Sequence, residues 1–313
     1  MLLDAARELF SNVSASDLVR DYQTLSDLYR RELPTPANIT RGEVAAYAAA
    51  RLPATSAVVA RVLREVRACI PNFRPMTVLD LGAGLGAAGW AAAECFPSVA
   101  EVDFVERAPW MLAAGRSLSA SSPIPAVARA RWHAADATSQ LGVHDLVMAS
   151  YLFAELPSWR GPLAIERWWQ NTGGCLVVIE PGTPAGYRRL MTARSLLIER
   201  GATIAAHWPH DRACPFDSNQ EWCRFNVRLA RSDDHRQAKA AAVGHEDESY
   251  SYVVATRRPT VRSARLLDDP SLRTGHVRLH VCADDGLRHI VMSKRDPRYR
   301  AVRRWEAGDR LTS

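Results

Sequence analysis

The sequence predicts an α/β fold on a mostly parallel, Rossmann-like sheet, with a helical segment before it and a small, β-rich, basic segment after it. Three observations predict it. From Met76 onward, short apolar stretches alternate with helical ones, as in a parallel sheet covered on both faces. A glycine-rich turn directly follows the first apolar stretch and opens a helix. An acidic residue ends the second stretch, where a ligand outside the carboxyl edge of the sheet would meet it.

Taken in order, residues 17–31 repeat apolar positions at helical spacing behind the capping residues Ser14, Ser16 and Asp17. Pro34 and Pro36 break that pattern, and helices at 43–51 and 55–70 flank a second break at Leu52-Pro53. Strands are expected at 77–81, 102–106, 130–134, 145–150 and 175–180, a helix at 185–200, and further strands at 203–207 and 250–256. Residues 208–243 interrupt the rhythm with Pro209, Pro215, two cysteines and many polar groups. Beyond them, 276–282 and 289–293 are strand candidates around Asp284-Asp285-Gly286. The expected division is a helical segment at 1–72, a cofactor-binding domain at 73–256 with a cysteine-containing insertion at 208–243, and a basic segment at 257–313.

Apolar residues make up 47% of the 313, enough for a substantial core and against global disorder. No apolar run is long enough to span a bilayer, and the N-terminus does not read as a secretory signal. The expectation is a soluble, cytoplasmic protein. The formal charge of +6 is unevenly placed: residues 257–313 carry 14 basic and 7 acidic groups, while the rest of the chain is close to neutral. A basic segment of this kind suits a polyanion such as RNA, or is simply a solvated face.

The turn Asp80-Leu81-Gly82-Ala83-Gly84-Leu85-Gly86 follows the first strand. Glycines there let bare backbone turn tightly and approach a ligand. Glu106, 20 residues beyond Gly86, stands where ribose hydroxyls would be held, and Asp136 where an adenine amino group could donate. A NAD-binding domain is the competitor, but the G-x-G-x-x-G spacing is met only through Gly84, Gly86 and Gly89. Leu79-Asp80-Leu81-Gly82-Ala83-Gly84 resembles motif I of class I methyltransferases, which implies S-adenosylmethionine as cofactor. The candidate cofactor-binding residues are Asp80, Gly82, Gly84, Gly86, Glu106, Asp136 and Ser150.

Evidence for methyl transfer is thinner. Ser150-Tyr151-Leu152-Phe153-Ala154-Glu155-Leu156, after the fourth strand, lacks the Asn-Pro-Pro-Tyr element that presents a planar amine. Cys175 opens a buried strand and is no placed nucleophile. Tyr151 and Glu155 could line an acceptor pocket, and no residue declares itself as a catalytic base.

Cys214, Cys223 and Cys282, with His207 and His210 close by, form a second constellation. Thiolates from separate segments suit zinc or an iron–sulfur cluster, and imidazole can complete such a set. No C-x-x-C is present, so buried or reactive thiols are the alternative.

A family resemblance joins these features. Arg51-Leu52-Pro53-Ala54-Thr55, Ile179-Glu180-Pro181-Gly182-Thr183-Pro184-Ala185-Gly186-Tyr187, Pro209-His210, Cys214-Pro215 and Trp222-Cys223-Arg224-Phe225 resemble the methyltransferase-like assembly factors of the mitochondrial small ribosomal subunit and their bacterial relatives. The likeness runs through most of the chain from about residue 40. It implies a methyltransferase fold that acts on or binds small-subunit ribosomal RNA, with neither DNA nor membrane as partner. It also implies a [4Fe–4S] cluster on four cysteines, three of which fall on Cys214, Cys223 and Cys282. The fourth falls on Trp208, which cannot ligate, so a cluster with His207, His210 or solvent at one iron, a zinc site and a lost site all stay open. Three functions remain: an RNA methyltransferase, a non-catalytic assembly factor, and a small-molecule methyltransferase.

Overall fold

The computed structural model describes residues 1–30, 38–216 and 221–311. The break expected at Pro34 and Pro36 lies outside the described residues.

Four helices come first: α1 (Leu2–Leu9), α2 (Ala15–Arg30), α3 (Arg41–Ala50) and α4 (Leu52–Cys69). Thr40 caps α3 in a capping box with Glu43, which satisfies two otherwise orphaned N–H groups. Leu52-Pro53, expected as a break, opens α4 instead: proline at a helix start gives up only an N–H that has no partner there. Val58, Val59, Val62, Leu63 and Val66 give α4 a fully buried face.

The sheet domain follows as β1 (Thr77–Leu81), α5 (Ala87–Cys95), β2 (Glu101–Val105), α6 (Pro109–Ala120), α7 (Pro125–Ala128), β3 (Arg131–His133), β4 (His144–Ser150), α8 (Gly161–Gln170), β5 (Thr172–Pro181), α9 (Pro184–Glu199) and β6 (Thr203–Ala206). The insertion holds β7 (Phe225–Ala230) and α10 (Asp233–Ala238), and β8 (His245–Thr256) returns to the sheet. The strand order is β3-β2-β1-β4-β5-β8-β6, with β7 paired to β8. β1 to β5 run parallel, and β8 lies antiparallel between β5 and β6. The order reverses between β1 and β4, the place where an open α/β sheet leaves a crevice for a ligand.

The last segment forms a second sheet from β9 (Ala264–Leu266), β10 (Ser271–Arg273), β11 (His276–Ala283), β12 (Gly286–Ser293) and β13 (Arg310–Leu311), with α11 (Tyr299–Val302) packed on it. It has its own small core of Leu266, Val277, Leu279, Val281, Met292, Tyr299 and Val302. The N-terminal helices instead share one core with the first sheet. Arg265 of β9 is buried and donates to Glu65 of α4 at 2.7 Å and to the Gly308 carbonyl at 2.6 Å. No described helix is long and apolar enough to cross a membrane.

Candidate functional site

The turn after β1 is built around three left-handed glycines: Gly82, Gly84 and Gly86 have φ of 63, 56 and 88°. An L-residue in that region costs about 1–2 kcal/mol. At Gly82 a Cβ would also stand 2.6 Å from Leu152 Cδ1, so the leucine side chain would have to give way. The Ala83 N–H donates to the Val105 carbonyl at 2.9 Å, which ties the turn to β2. Glu106 finishes the clamp, accepting from the Gly84 N–H and the Ala108 N–H, both at 2.8 Å.

This turn borders a cavity of about 210 Å³. Gly82, Gly84, Glu106, Asp136 and Ser150 line it, so five of the seven residues read from the sequence come together there. Asp80 and Gly86 stand behind the lining. Asp80 is buried and accepts from the Gly89 N–H at 2.8 Å, so it braces the first turn of α5. Burial pushes its carboxyl up to about 7 against the pull of that N–H. Asp136 is at the wall, but its acceptors are in use: Arg160 donates to both oxygens at 3.1 and 2.9 Å, and the Thr138 hydroxyl donates at 2.6 Å. Partial burial works to raise its carboxyl, yet the bonds from Thr138 and Arg160 prevail and hold it at about 2.

Sequence reasoning missed part of the wall. Tyr47 of α3, Thr55 of α4 and Arg51 between the two helices line the same cavity with Arg189 of α9. Tyr151 is left-handed at φ 60° without being glycine, a conformation that concentrates at functional sites. Its hydroxyl and that of Ser150 are buried without a hydrogen-bond partner. Glu180, at the end of β5, is fully buried; it accepts from Arg189 Nε at 2.6 Å, and burial raises it to about 7. A glycine cradle that side chains would fill, beside two orphaned hydroxyls and an acid, fits a nucleoside-bearing cofactor.

The second constellation lies across α9. Cys214, Cys223 and Cys282 are all buried, and each of the latter two thiols is pushed up by burial and then by its sulfur neighbours. Cys214 Sγ is 2.9 Å from the Tyr187 hydroxyl and accepts from Trp208 Nε1–H at 3.2 Å. His210 Nε2 is 3.6 Å from Cys282 Sγ. His207 Nδ1 donates to the Tyr252 carbonyl at 2.6 Å, and burial drives its imidazole down to about 3. Among the described residues, no group of three or more His, Cys, Asp or Glu side chains is arranged to hold a metal ion. The metal set expected from Cys214, Cys223, Cys282, His207 and His210 is thus not assembled among the described residues: the Trp208 indole N–H donates to the first sulfur, the Tyr187 hydroxyl lies against it, and His207 is turned to a backbone carbonyl. A four-thiolate cluster does not fit these residues.

The strand order and the glycine turn at its reversal define the class: a class I methyltransferase fold. Within it, the chain belongs to the family described as mitochondrial small ribosomal subunit Rsm22, whose profile matches residues 41–312. The human mitochondrial ribosome assembly protein METTL17 is 30% identical over 82% of this chain and 59% of its own length. The mitochondrial Rsm22-cox11 tandem protein 2 of Schizosaccharomyces pombe is 26% identical over 96% of this chain and 47% of its own length. The chain thus spans about half to three-fifths of these relatives. Magnesium protoporphyrin IX methyltransferase from Synechocystis PCC 6803, solved with S-adenosylmethionine, aligns with a TM-score of 0.44 at 14% identity, over 79% of this chain and 98% of its own. A putative RNA methyltransferase from Pyrococcus horikoshii aligns at 0.40 and 12%, over 64% of this chain and 80% of its own. The cytoplasmic expectation is overturned by these matches, since the family and both relatives are described as mitochondrial.

Proposed function

We propose that this chain binds S-adenosylmethionine in the cavity at the tips of β1, β2 and β4 and serves in assembly of the small ribosomal subunit, contacting its RNA through the basic C-terminal segment. The observation that carries the reading is the left-handed Gly82 and Gly84 backbone, open to a cavity with Glu106 and the orphaned Ser150 and Tyr151 hydroxyls beside it. Glu106 and Ser150 are the polar groups that would hold the cofactor. Asp80 would act from behind by fixing the start of α5, and Asp136 would do so only by sharing its Arg160 and Thr138 partners. Bound there, S-adenosylmethionine supplies an electrophilic methyl group on a sulfonium. The RNA part rests on charge: Arg273, Arg278, Arg300 and Arg304 are exposed and make no ion pair among the described residues. Cations of that kind bind phosphate with a strong salt dependence.

A non-catalytic assembly role has its own support. Three acids at or behind the cavity wall are committed to structure: Glu106 to two backbone N–H groups, Asp136 to Arg160, and Glu180 to Arg189. The test pairs co-sedimentation with small ribosomal subunits and a radiolabelled methyl-transfer assay on their RNA. Salt-sensitive co-sedimentation with label transfer supports an RNA methyltransferase, and co-sedimentation without label the assembly role. Methyl transfer to a small molecule with no subunit binding would replace both.

A further inference from the structure

We propose that Trp208 closes the thiol site of this chain, so that the three cysteines form a protein-only knot in place of an iron–sulfur cluster. Trp208 is 1% exposed and occupies the position where the family resemblance asks for the fourth thiolate. An indole cannot ligate iron: its nitrogen lone pair belongs to the ring, and its N–H is a donor only. Here that N–H is spent on Cys214 Sγ at 3.2 Å, and the Tyr187 hydroxyl meets the same sulfur at 2.9 Å.

The indole is held on several sides. The His207 ring stacks on it at 3.6 Å between centroids, and the Arg194 guanidinium lies 5.2 Å from its ring. Arg194 in turn donates to the His210 carbonyl at 2.8 Å and the Arg212 carbonyl at 2.6 Å, so the loop that carries Trp208 is fastened to α9. A cluster would have to evict a buried ring, break these contacts and still lack a ligand. In place of iron bridging the segments, hydrogen bonds and stacking hold the loop against α9. Cys282 brings β11 to the same place through His210.

The test is metal analysis of the full chain purified anaerobically and then offered ferrous iron and sulfide. The unaltered chain should show no iron–sulfur charge-transfer absorption, and its thermal melting should not move with a chelator. Trp208→Cys supplies the fourth thiolate, and folded Trp208→Cys, checked by circular dichroism, should gain that absorption with about four irons and four sulfides per chain. Trp208→Phe keeps the bulk without the N–H; it should stay metal-free and melt lower. A full cluster in the unaltered chain or in Trp208→Phe, or about one zinc per chain in either, would overturn the proposal. Folded Trp208→Cys that takes up no iron would overturn it too, because Trp208 would then not be what excludes the cluster.

Discussion

Two regions of this molecule, which both draw on α9, solve the problem of a binding site in opposite ways. At the tips of β1, β2 and β4 the chain withholds side chains: left-handed glycines leave backbone bare, and two hydroxyls stand without partners. Across α9, the thiol region fills itself, and indole, phenol and guanidinium groups stack or donate until the first sulfur is satisfied. A cavity kept open at an energetic cost points to a ligand. A cluster of ligand-type residues that satisfy one another points to structure.

The largest effect expected from breaking this contrast is at Gly84. Gly84→Val should abolish S-adenosylmethionine binding by calorimetry while the fold survives, because the strain is confined to a turn. Unchanged affinity would remove the turn from the site.

Next comes the clasp between α4 and the second sheet. Arg265→Ala should destabilise the protein by about 3–5 kcal/mol, since it leaves Glu65 buried with half its partners. Denaturant unfolding should show it, with little change in cofactor affinity; equal loss of both would mean that the regions are one unit. The pH dependence of the clasp has a definite sign. Burial works to raise Glu65, but Arg265 and Arg61 lower it below its ordinary value. Its contribution is therefore complete above the unfolded carboxyl range of about 4.3 and is lost as pH falls through the lower folded value. Acid should loosen the clasp in the native chain, and Glu65→Gln should be flatter across that window.

A smaller effect is expected at Asp80. Asp80→Ala strips the Gly89 N–H of its acceptor and should cost about 1–3 kcal/mol. Cofactor affinity should weaken without vanishing, which separates a brace from a lining group. Asp80→Asn, which keeps an acceptor, should recover most of the loss.

How much of this could be read from the sequence follows the same divide. β1, β4 and β5 are buried along most of their length, so they stand out as continuous apolar runs, and the glycine turn is a local pattern. β7 carries a period-two signal, Phe225-Asn226-Val227-Arg228-Leu229, yet it reads as part of a polar interruption because its neighbours are cysteines, prolines and charges. Tyr47, Arg51 and Thr55 reach the cavity only through the packing of α3 and α4, which no local spacing announces. The capture of Asp136 by Arg160, 24 residues away, is likewise a tertiary fact. Trp208 was visible as a missing ligand, but its bond to Cys214 was not.

The central claim is that the glycine turn is an open cradle for S-adenosylmethionine. Isothermal titration of the unaltered chain with S-adenosylmethionine tests it most directly. Saturable one-to-one binding that disappears in Gly84→Val is the expected result. Absence of binding heat in the folded, unaltered chain, confirmed by equilibrium dialysis with labelled cofactor, would contradict it.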